Sequence, residues 1–327
     1  MQTDSIRNYT TYLPKFIIGG GMKCGTTSLH SILNHHPKIF IPQEEPHFFT
    51  IDDFEQNSDF FLRLSDGWHF WDFDKNLTEY FPWYVNFFKP AHPDQIIGED
   101  CVSYLSSSKA PARIASILPD VKLIFLLRDP VKRTYSQYWH WVKTNRAIYS
   151  FEETLQFSSG HLLQRSLYKK HIEEYLKYFN LSQIKIVIFE DFIHNTQLIV
   201  DEVCKFIGLQ EGIKIDKLKT HTNKALVPRN YSLQLFVNTV LKTKVSGRKY
   251  LSYHLPNSNQ KLQPKFLSSV NLILQKINLT QKKAYPSMNA DTRLFLEQYF
   301  SKENQGLSDL IRIPVENYWK YMSKSTE

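Results

Sequence analysis

The segment GGGMKCGTTS, residues 19–28, contains the residue types that bind a phosphate or sulfate group. Glycines let the backbone turn sharply and come close to a ligand. Apolar residues at 16–18 and apolar residues at helical spacing after the segment predict a strand, a turn and a helix. The free N–H groups at the start of that helix form an anion site. The hydroxyls of Thr26, Thr27 and Ser28 are predicted to cap the helix.

The position of Lys23 distinguishes this loop from the common nucleotide-binding loop. A Walker A loop has the order G-x-x-x-x-G-K-[ST]. Here Lys23 precedes Gly25, and no register between Gly19 and Thr27 satisfies that order. Magnesium-linked ATP chemistry therefore loses its main support. A kinase or NTPase with an aberrant loop and a non-catalytic nucleotide-binding protein stay open as rival classes.

A second charged motif, RDPVKRTYSQY, follows the apolar run at 121–127. The run predicts a strand that is buried on both faces. Arg128 leaves this strand at a point where an isolated guanidinium is costly unless it meets an anion or a carboxylate. Ser136 lies about two turns into the following helix and can face the same anion. On its own, the motif is also open to a local salt bridge at a helix start.

Strands and helices alternate along the chain, and this pattern places both motifs at one edge of a sheet. Residues 16–18, 121–127 and 184–189 predict strands, and residues 166–179 predict an amphipathic helix. The alternation predicts an α/β fold, P-loop-like, with a central parallel sheet in a three-layer α/β/α arrangement. Ligands bind such sheets at the carboxyl ends of the strands.

The length of 327 residues and the hydrophobic content of 42% favour one domain over 1–327. We expect a cofactor-binding core at 14–240 and a helical C-terminal extension of the same domain at 241–327. The segment TRLFLEQYFSKENQGLSDLI, residues 292–311, is predicted to be helical.

The net charge and the cysteine content indicate which ligands and partners to expect. The net charge of +8 favours anionic ligands, but the lysines are spread along the chain, so we expect no nucleic-acid partner. Three cysteines without C-x-x-C spacing indicate neither a disulfide framework nor a metal site. Cys24 is open to two interpretations, a reactive thiol or a small residue that fits the turn.

The chain has no run of about 18 apolar residues and no apolar core of a signal peptide at its start. We therefore expect a cytoplasmic protein without a membrane span. The sequence does not determine the oligomeric state.

As a pair, the two motifs resemble the signatures of sulfotransferases that use 3′-phosphoadenosine 5′-phosphosulfate (PAPS). The resemblance is closest to the heparan-sulfate-type and bacterial branch. It extends through EEPHFF, GEDCVSYL, SLYKKHIEEYL, NKALVPRN and YPSMNADTRLFLEQYFSKENQGL. It implies a metal-free transfer of the sulfuryl group from PAPS to an acceptor, which leaves adenosine 3′,5′-bisphosphate (PAP).

The resemblance also implies donor-binding residues, with the glycine-rich loop at the phosphosulfate and the second motif at the 3′-phosphate. Tyr168 is equally open to a role in the core. The implied donor-binding set is Lys23, Cys24, Gly25, Thr26, Thr27, Ser28, Arg128, Ser136, Tyr168, Lys224 and Arg229.

The resemblance places the catalytic base at Glu45, with His47 as a supporting residue or an alternative base. Lys23 is expected to stabilise negative charge on the leaving group. Heparan-sulfate enzymes commonly carry lysines where this chain has Glu44 and Asp100. Carboxylates at these positions repel a polyanion. We therefore expect a small natural product with a hydroxyl, amine or guanidinium nitrogen as acceptor, with a heparan-sulfate-like or lipid-linked saccharide as the alternative.

Overall fold

A computed structural model describes residues 12–210, 214, 225–241, 273–282 and 284–323. Elements are numbered over these residues. The main sheet has five strands in the order β2-β5-β1-β6-β7, and every neighbouring pair is parallel. This arrangement confirms the predicted parallel α/β fold. The strands are β1 (Phe16–Gly20), β2 (Ile39–Phe40), β5 (Ile96–Asp100), β6 (Lys122–Leu127) and β7 (Ile184–Ile188).

Two short antiparallel pairs lie outside the main sheet. They are formed by β3 (Leu62–Leu64) with β4 (Gly67–His69), and by β8 (Ala225–Pro228) with β9 (Leu279–Lys282). The segment after residue 240 therefore contributes a strand besides the helices that the sequence predicts. The division of the domain at residue 240 stays a prediction.

Helices connect the strands. Their bounds are α1 (Thr26–Leu33), α2 (Phe54–Asn57), α3 (Phe73–Asn86), α4 (Ala110–Ile117), α5 (Pro130–Lys143), α6 (Phe151–Ser158), α7 (Gly160–Gln164), α8 (Tyr168–Leu176), α9 (Phe189–His194), α10 (Thr196–Ile207), α11 (Tyr231–Leu241), α12 (Ala290–Glu303) and α13 (Leu307–Ile311). In the part of the chain with described structure, no helix has an apolar stretch long enough to cross a bilayer.

Two hydrophobic cores lie on opposite faces of the sheet. In β1, Ile17 belongs to one core while Phe16 and Ile18 belong to the other. Residues of β6 alternate in the same way, with Phe125 in the first core and Leu126 in the second. Alternate side chains of a strand point to opposite faces, so the sheet is covered on both sides. This is the predicted three-layer arrangement.

The register of the sheet brings three strand ends together at its carboxyl edge. Gly20 at the end of β1 pairs with Leu126 of β6, and Ile18 pairs with Asp100 at the end of β5. Gly20 has a φ of 142°, and a Cβ there would stand 2.6 Å from the carbonyl oxygen of Leu126. Only glycine fits this turn. The glycine-rich loop, Arg128 and Asp100 consequently leave the sheet at neighbouring points.

Candidate active site

The glycine-rich loop closes tightly between β1 and α1. The N–H of Cys24 donates to the carbonyl of Gly21 at 3.0 Å. Lys23 and Gly25 have positive φ values of 77° and 95°. A Cβ on Gly25 would stand 2.8 Å from the ring of Phe189, so this glycine is required by packing and by conformation. The N–H groups of Thr26 and Thr27 precede the first hydrogen bond of α1 and are available to an anion.

The predicted side-chain cap of α1 is wrong. The residue that precedes the helix is Gly25, and no side chain caps this end. Thr26, Thr27 and Ser28 form the first helical turn instead, because the helix begins at Thr26. Thr26 is buried and Thr27 is exposed. The loop therefore leaves its N-terminal N–H groups to a ligand where a side-chain cap would have occupied one.

Lys23 is half-buried among other cations. Burial, then Lys143 and Arg128, lower the pKa of Lys23 to about 8. Lys143 is the last residue of α5, seven positions after Ser136, and therefore shares a helix face with it. The sequence prediction missed Lys143, although the i, i+7 spacing from Ser136 was a usable signal.

Arg128 contacts the glycine-rich loop directly. Its Nη1 donates to the carbonyl of Lys23 at 3.0 Å, and its guanidinium carbon lies 4.8 Å from the centre of the Phe189 ring. Its Nε is buried and has no hydrogen-bond partner in the described structure. The neighbouring Asp129 caps α5 by accepting from the N–H of Val131. Arg128 therefore keeps an unused buried donor beside the loop, as an anion site requires.

The side chain of Tyr168 contacts both the glycine-rich loop and the segment that begins at Arg128. Its side chain is fully buried. Its hydroxyl donates to the carbonyl of Arg128 at 2.8 Å and lies 3.7 Å from Sγ of Cys24. Burial raises the pKa of the Cys24 thiol, so that thiol stays protonated. The contacts support the structural interpretation of Cys24 and a role for Tyr168 in positioning the loop.

The other predicted donor residues lie at different depths. Ser136 is buried in α5, and burial raises the pKa of the nearby Tyr285 while Ser136 opposes that shift. Arg229 follows β8 with an exposed side chain, and its guanidinium makes no hydrogen bond or ion pair within the described residues. Lys224 lies outside the described residues. The donor roles of Arg229 and Lys224 stay predictions.

Glu45 lies beside the end of β5. Its Oε2 accepts from the N–H of Val102 at 3.1 Å and lies 3.6 Å from Nε2 of His47. The side chain of Glu45 keeps 31% of its surface exposed. Burial of the carboxyl and the negative charge of Asp100 raise the pKa of Glu45. A partly accessible carboxylate with a raised pKa has the properties of a general base.

His47 is held at both ring nitrogens. Its Nδ1 lies 3.0 Å from Oγ of Ser103 and 3.3 Å from Sγ of Cys101, while Nε2 faces Glu45. Burial and the charge of Arg165 lower the pKa of His47 to about 3. The imidazole is therefore neutral at physiological pH and a weak base.

Asp100 and Glu44, the two acidic positions proposed to affect the acceptor, differ in burial. Asp100 is 4% exposed, and its Oδ2 lies 3.2 Å from Nδ1 of His30. Its Oδ1 is buried without a partner in the described structure. Burial raises the pKa of Asp100, and His30 opposes the shift. Glu44 is exposed, and its side chain makes no ion pair or hydrogen bond with described residues.

Two groups of side chains among the described residues have the spacing of a metal site, and one of them, the group of Glu45, His47 and Cys101, lies in the candidate site. Ligand atoms of Glu45, His47 and Cys101 lie within 4.8 Å of one another. Burial and nearby carboxylates raise the pKa of the Cys101 thiol well above its usual value, and Sγ hydrogen-bonds with Ser103 at 3.1 Å. A cysteine binds a metal ion as its thiolate. In the described structure, His47, Cys101 and Ser103 form a hydrogen-bonded cluster beside Glu45.

Arg165 is a further cation near Glu45 and His47 that the sequence prediction missed. It precedes α8 and is 5% exposed. Its charge lowers the pKa of both Glu45 and His47. No spacing rule marks this residue in the sequence, because its neighbours come from segments more than a hundred positions away.

Comparison with known proteins gives one family. The model of the family described as Sulfotransferase domain matches residues 13–253. The chain is 26% identical over 315 residues to the mouse protein named bifunctional heparan sulfate N-deacetylase/N-sulfotransferase 4. This alignment covers 92% of this chain and 30% of the relative. It is 31% identical over 209 residues to mouse heparan sulfate glucosamine 3-O-sulfotransferase 3B1, and this alignment covers 62% of this chain and 47% of the relative. The chain thus spans less than half the length of these curated relatives.

A solved structure supports the fold. The crystal structure of a sulfotransferase from Alicyclobacillus acidocaldarius superimposes with a TM-score of 0.60 over 94% of this chain and 98% of that chain. The two sequences are 23% identical. At this identity the likeness establishes the three-layer architecture.

Proposed function

Because the chain belongs to the sulfotransferase domain family, we propose that it transfers a sulfuryl group from PAPS to a small neutral or cationic acceptor. The family uses PAPS as the donor. The observation that carries the acceptor proposal is the pair of carboxyl groups, Glu45 and Asp100, at the base side of the site. The acceptor atom is a hydroxyl oxygen, an amine nitrogen or a guanidinium nitrogen.

The residues around the loop fit a polyanionic donor. The unused Nε of Arg128 and the free N–H groups of α1 offer donors to phosphate. Burial and repulsion from Lys143 and Arg128 lower the pKa of Lys23, and an anion placed among these cations removes that penalty. Arg128 and Ser136 would hold the 3′-phosphate, and Lys23 with the loop N–H groups would hold the phosphosulfate.

When bound, PAPS supplies a sulfur atom whose bond to the bridging phosphate oxygen breaks as the acceptor oxygen or nitrogen bonds to it. Glu45 takes the proton that the acceptor loses. The ammonium of Lys23 stabilises the negative charge left on the bridging oxygen. His47, neutral and held by Ser103, orients Glu45 through the 3.6 Å approach of its Nε2. The low pKa of His47 favours Glu45 as the base.

The charges near the base favour a neutral or cationic acceptor. Asp100 has a buried carboxylate oxygen without a partner, and the negative charge of Asp100 raises the pKa of Glu45. A protonated amine or guanidinium near Glu45 and Asp100 offsets the electrostatic repulsion between their two carboxylates. A sulfated glycan adds further negative charge to the same place.

A glycan acceptor is the second candidate. The relatives with the names of heparan sulfate N- and 3-O-sulfotransferases favour it. Their identity to this chain is 26% and 31%. A cytoplasmic location also stays a prediction.

An acceptor screen tests the proposal. Enzyme and PAPS are incubated with matched panels of hydroxylated amines, guanidines, neutral alcohols and desulfated heparan sulfate, and added sulfuryl groups are measured by mass spectrometry. We expect amines, guanidines or alcohols to react faster than the glycan. Asp100→Asn, which can keep its hydrogen bond to His30, is expected to reduce the preference for cationic over neutral acceptors. Rapid sulfation of the glycan alone would overturn the proposal in favour of the second candidate.

A further inference from the structure

Arg165 is a buried cation whose charge no described carboxylate neutralises by an ion pair. Its Nη2 donates to the carbonyl of Gln56 at 2.9 Å, and its Nη1 lies 3.9 Å from Sδ of Met22. Its Nε is buried and makes no hydrogen bond among the described residues. A buried charge without a partner is costly. Such a charge is retained where a ligand completes it.

The contacts of Arg165 join the donor loop to the segment that carries the base. Met22 directly precedes Lys23 in the loop, and Gln56 lies in α2, which follows Glu45 and His47 in the chain. The carbonyl oxygen of Arg165 lies 3.2 Å from the point where a Cβ on Gly21 would stand. Arg165 therefore lies between the residues proposed for the leaving group and those proposed for the base.

A second buried arginine beside the loop shows what a purely structural cation looks like. Arg133 is fully buried, and all three of its nitrogens donate hydrogen bonds. Its Nε donates to Ser166, Nη1 to Gln137, and Nη2 to the carbonyl of Leu162. The hydrogen-bonding capacity of Arg133 is used within the fold. Neither arginine has an ion pair with a described carboxylate, and Arg165 differs in its hydrogen bonding, because its buried Nε has no partner among the described residues.

We propose that Arg165 supplies positive charge to the sulfuryl group of the bound donor. The negative sulfuryl oxygens must lie between Lys23 and Glu45 for the transfer to occur, and Arg165 bridges the two segments that carry these residues. A charge fixed in a water-poor interior acts more strongly than one in solvent. This role depends on the donor chemistry of the family and is independent of the acceptor proposed above.

The donor and its product provide a direct test, since PAP lacks only the sulfuryl group. Binding of PAPS and of PAP to native protein and to Arg165→Met is measured by calorimetry without acceptor, and chromatography confirms that the donor stays intact. We expect PAPS affinity to fall at least about tenfold. We expect PAP affinity to change less than about threefold. An activity measurement is not needed for either result.

Controls separate charge from fold. Arg146 is ion-paired with Asp59 at 2.5 Å, so Arg146→Met removes a nearby but already paired charge and should leave the ratio of the two affinities unchanged. Arg165→Lys keeps the charge and should retain most of the preference for PAPS. If Arg165→Met does not fold, as judged by thermal unfolding, Arg165→Gln makes the same comparison, because its amide can still donate to Gln56. A folded uncharged variant with the native affinity ratio, or with equal losses for both ligands, overturns the proposal.

Discussion

The donor region and the base region of the site are built in different ways. In the donor region, most of the polar groups belong to the backbone. They are the N–H groups of the loop and of the start of α1, and the carbonyl of Lys23, which accepts from Arg128. In the base region, side chains from residues 45–50 and 99–104 hydrogen-bond to one another across the fold, as Thr50 does with Ser103 at 2.7 Å. Backbone geometry follows from local sequence, whereas side-chain networks follow from tertiary packing.

The two regions also carry opposite charge. Cations lower the pKa of Lys23 in the donor region, and a carboxyl group raises the pKa of Glu45 in the base region. In each region, burial and a like-charged neighbour act in the same direction. Each region is therefore prepared for a partner of the other sign, an anion beside Lys23 and a proton or cation beside Glu45. The following predictions separate the contributions of the two regions.

Removal of the base is expected to have the largest effect. Glu45→Gln keeps the size of the side chain but removes the proton acceptor, so turnover should fall by about 10²- to 10⁴-fold. PAP affinity should stay close to native, because the change lies outside the donor region. Steady-state kinetics and calorimetry give the two quantities. Glu44→Gln, at the exposed neighbouring position, is the matched control and should keep near-native turnover. Full activity of Glu45→Gln would remove Glu45 from the mechanism.

Removal of the donor-region arginine is expected to give the reverse pattern. Arg128→Ala deletes a charged hydrogen-bond donor, and such bonds contribute about 1.5–3 kcal/mol. PAP affinity should therefore fall by about 10- to 100-fold, with a smaller change in turnover at saturating donor. Arg229→Ala, measured beside it, shows whether the exposed predicted residue shares this role. Native PAP affinity in Arg128→Ala would contradict the donor assignment.

The pH profile should show both regions at once. Glu45 must be deprotonated to accept a proton, so kcat/KM should fall as pH drops through the raised pKa of Glu45. Lys23 must be protonated, so kcat/KM should fall again as pH rises above about 8. The bound anion stabilises the ammonium of Lys23, and the alkaline limb of kcat should therefore lie at higher pH than that of kcat/KM. An acid limb that persists in Glu45→Gln would assign it to another group.

Metal removal is expected to have the smallest effect. If the cluster of Glu45, His47 and Cys101 is a hydrogen-bonded support for the base, dialysis against a chelator should leave turnover unchanged. The measurement is turnover before and after dialysis, with metal content followed by mass spectrometry. Loss of activity that zinc restores would instead make this cluster a metal site.

The donor region of the site was easier to predict from the sequence than the base region. The strand–loop–helix at 16–33 and the strand that ends just before Arg128 were predicted, because apolar runs and turn glycines act over a few residues. The helix cap was predicted wrongly, since Gly25 rather than a threonine precedes the first turn. Glu45 and His47 were proposed from family resemblance, and their individual roles stay predictions.

By itself the sequence determined the parallel α/β order and the position of the glycine-rich and Arg-Asp-Pro motifs at strand ends. These features depend on periodicity, on glycine conformations and on the rule that parallel strands share one carboxyl edge. Only the tertiary structure decided which charges meet: Lys143 with Lys23, Asp100 with Glu45, and Arg165 between Met22 and Gln56. The reason is physical, since a pKa and an unpaired buried charge depend on neighbours in space, and those neighbours are distant in the chain.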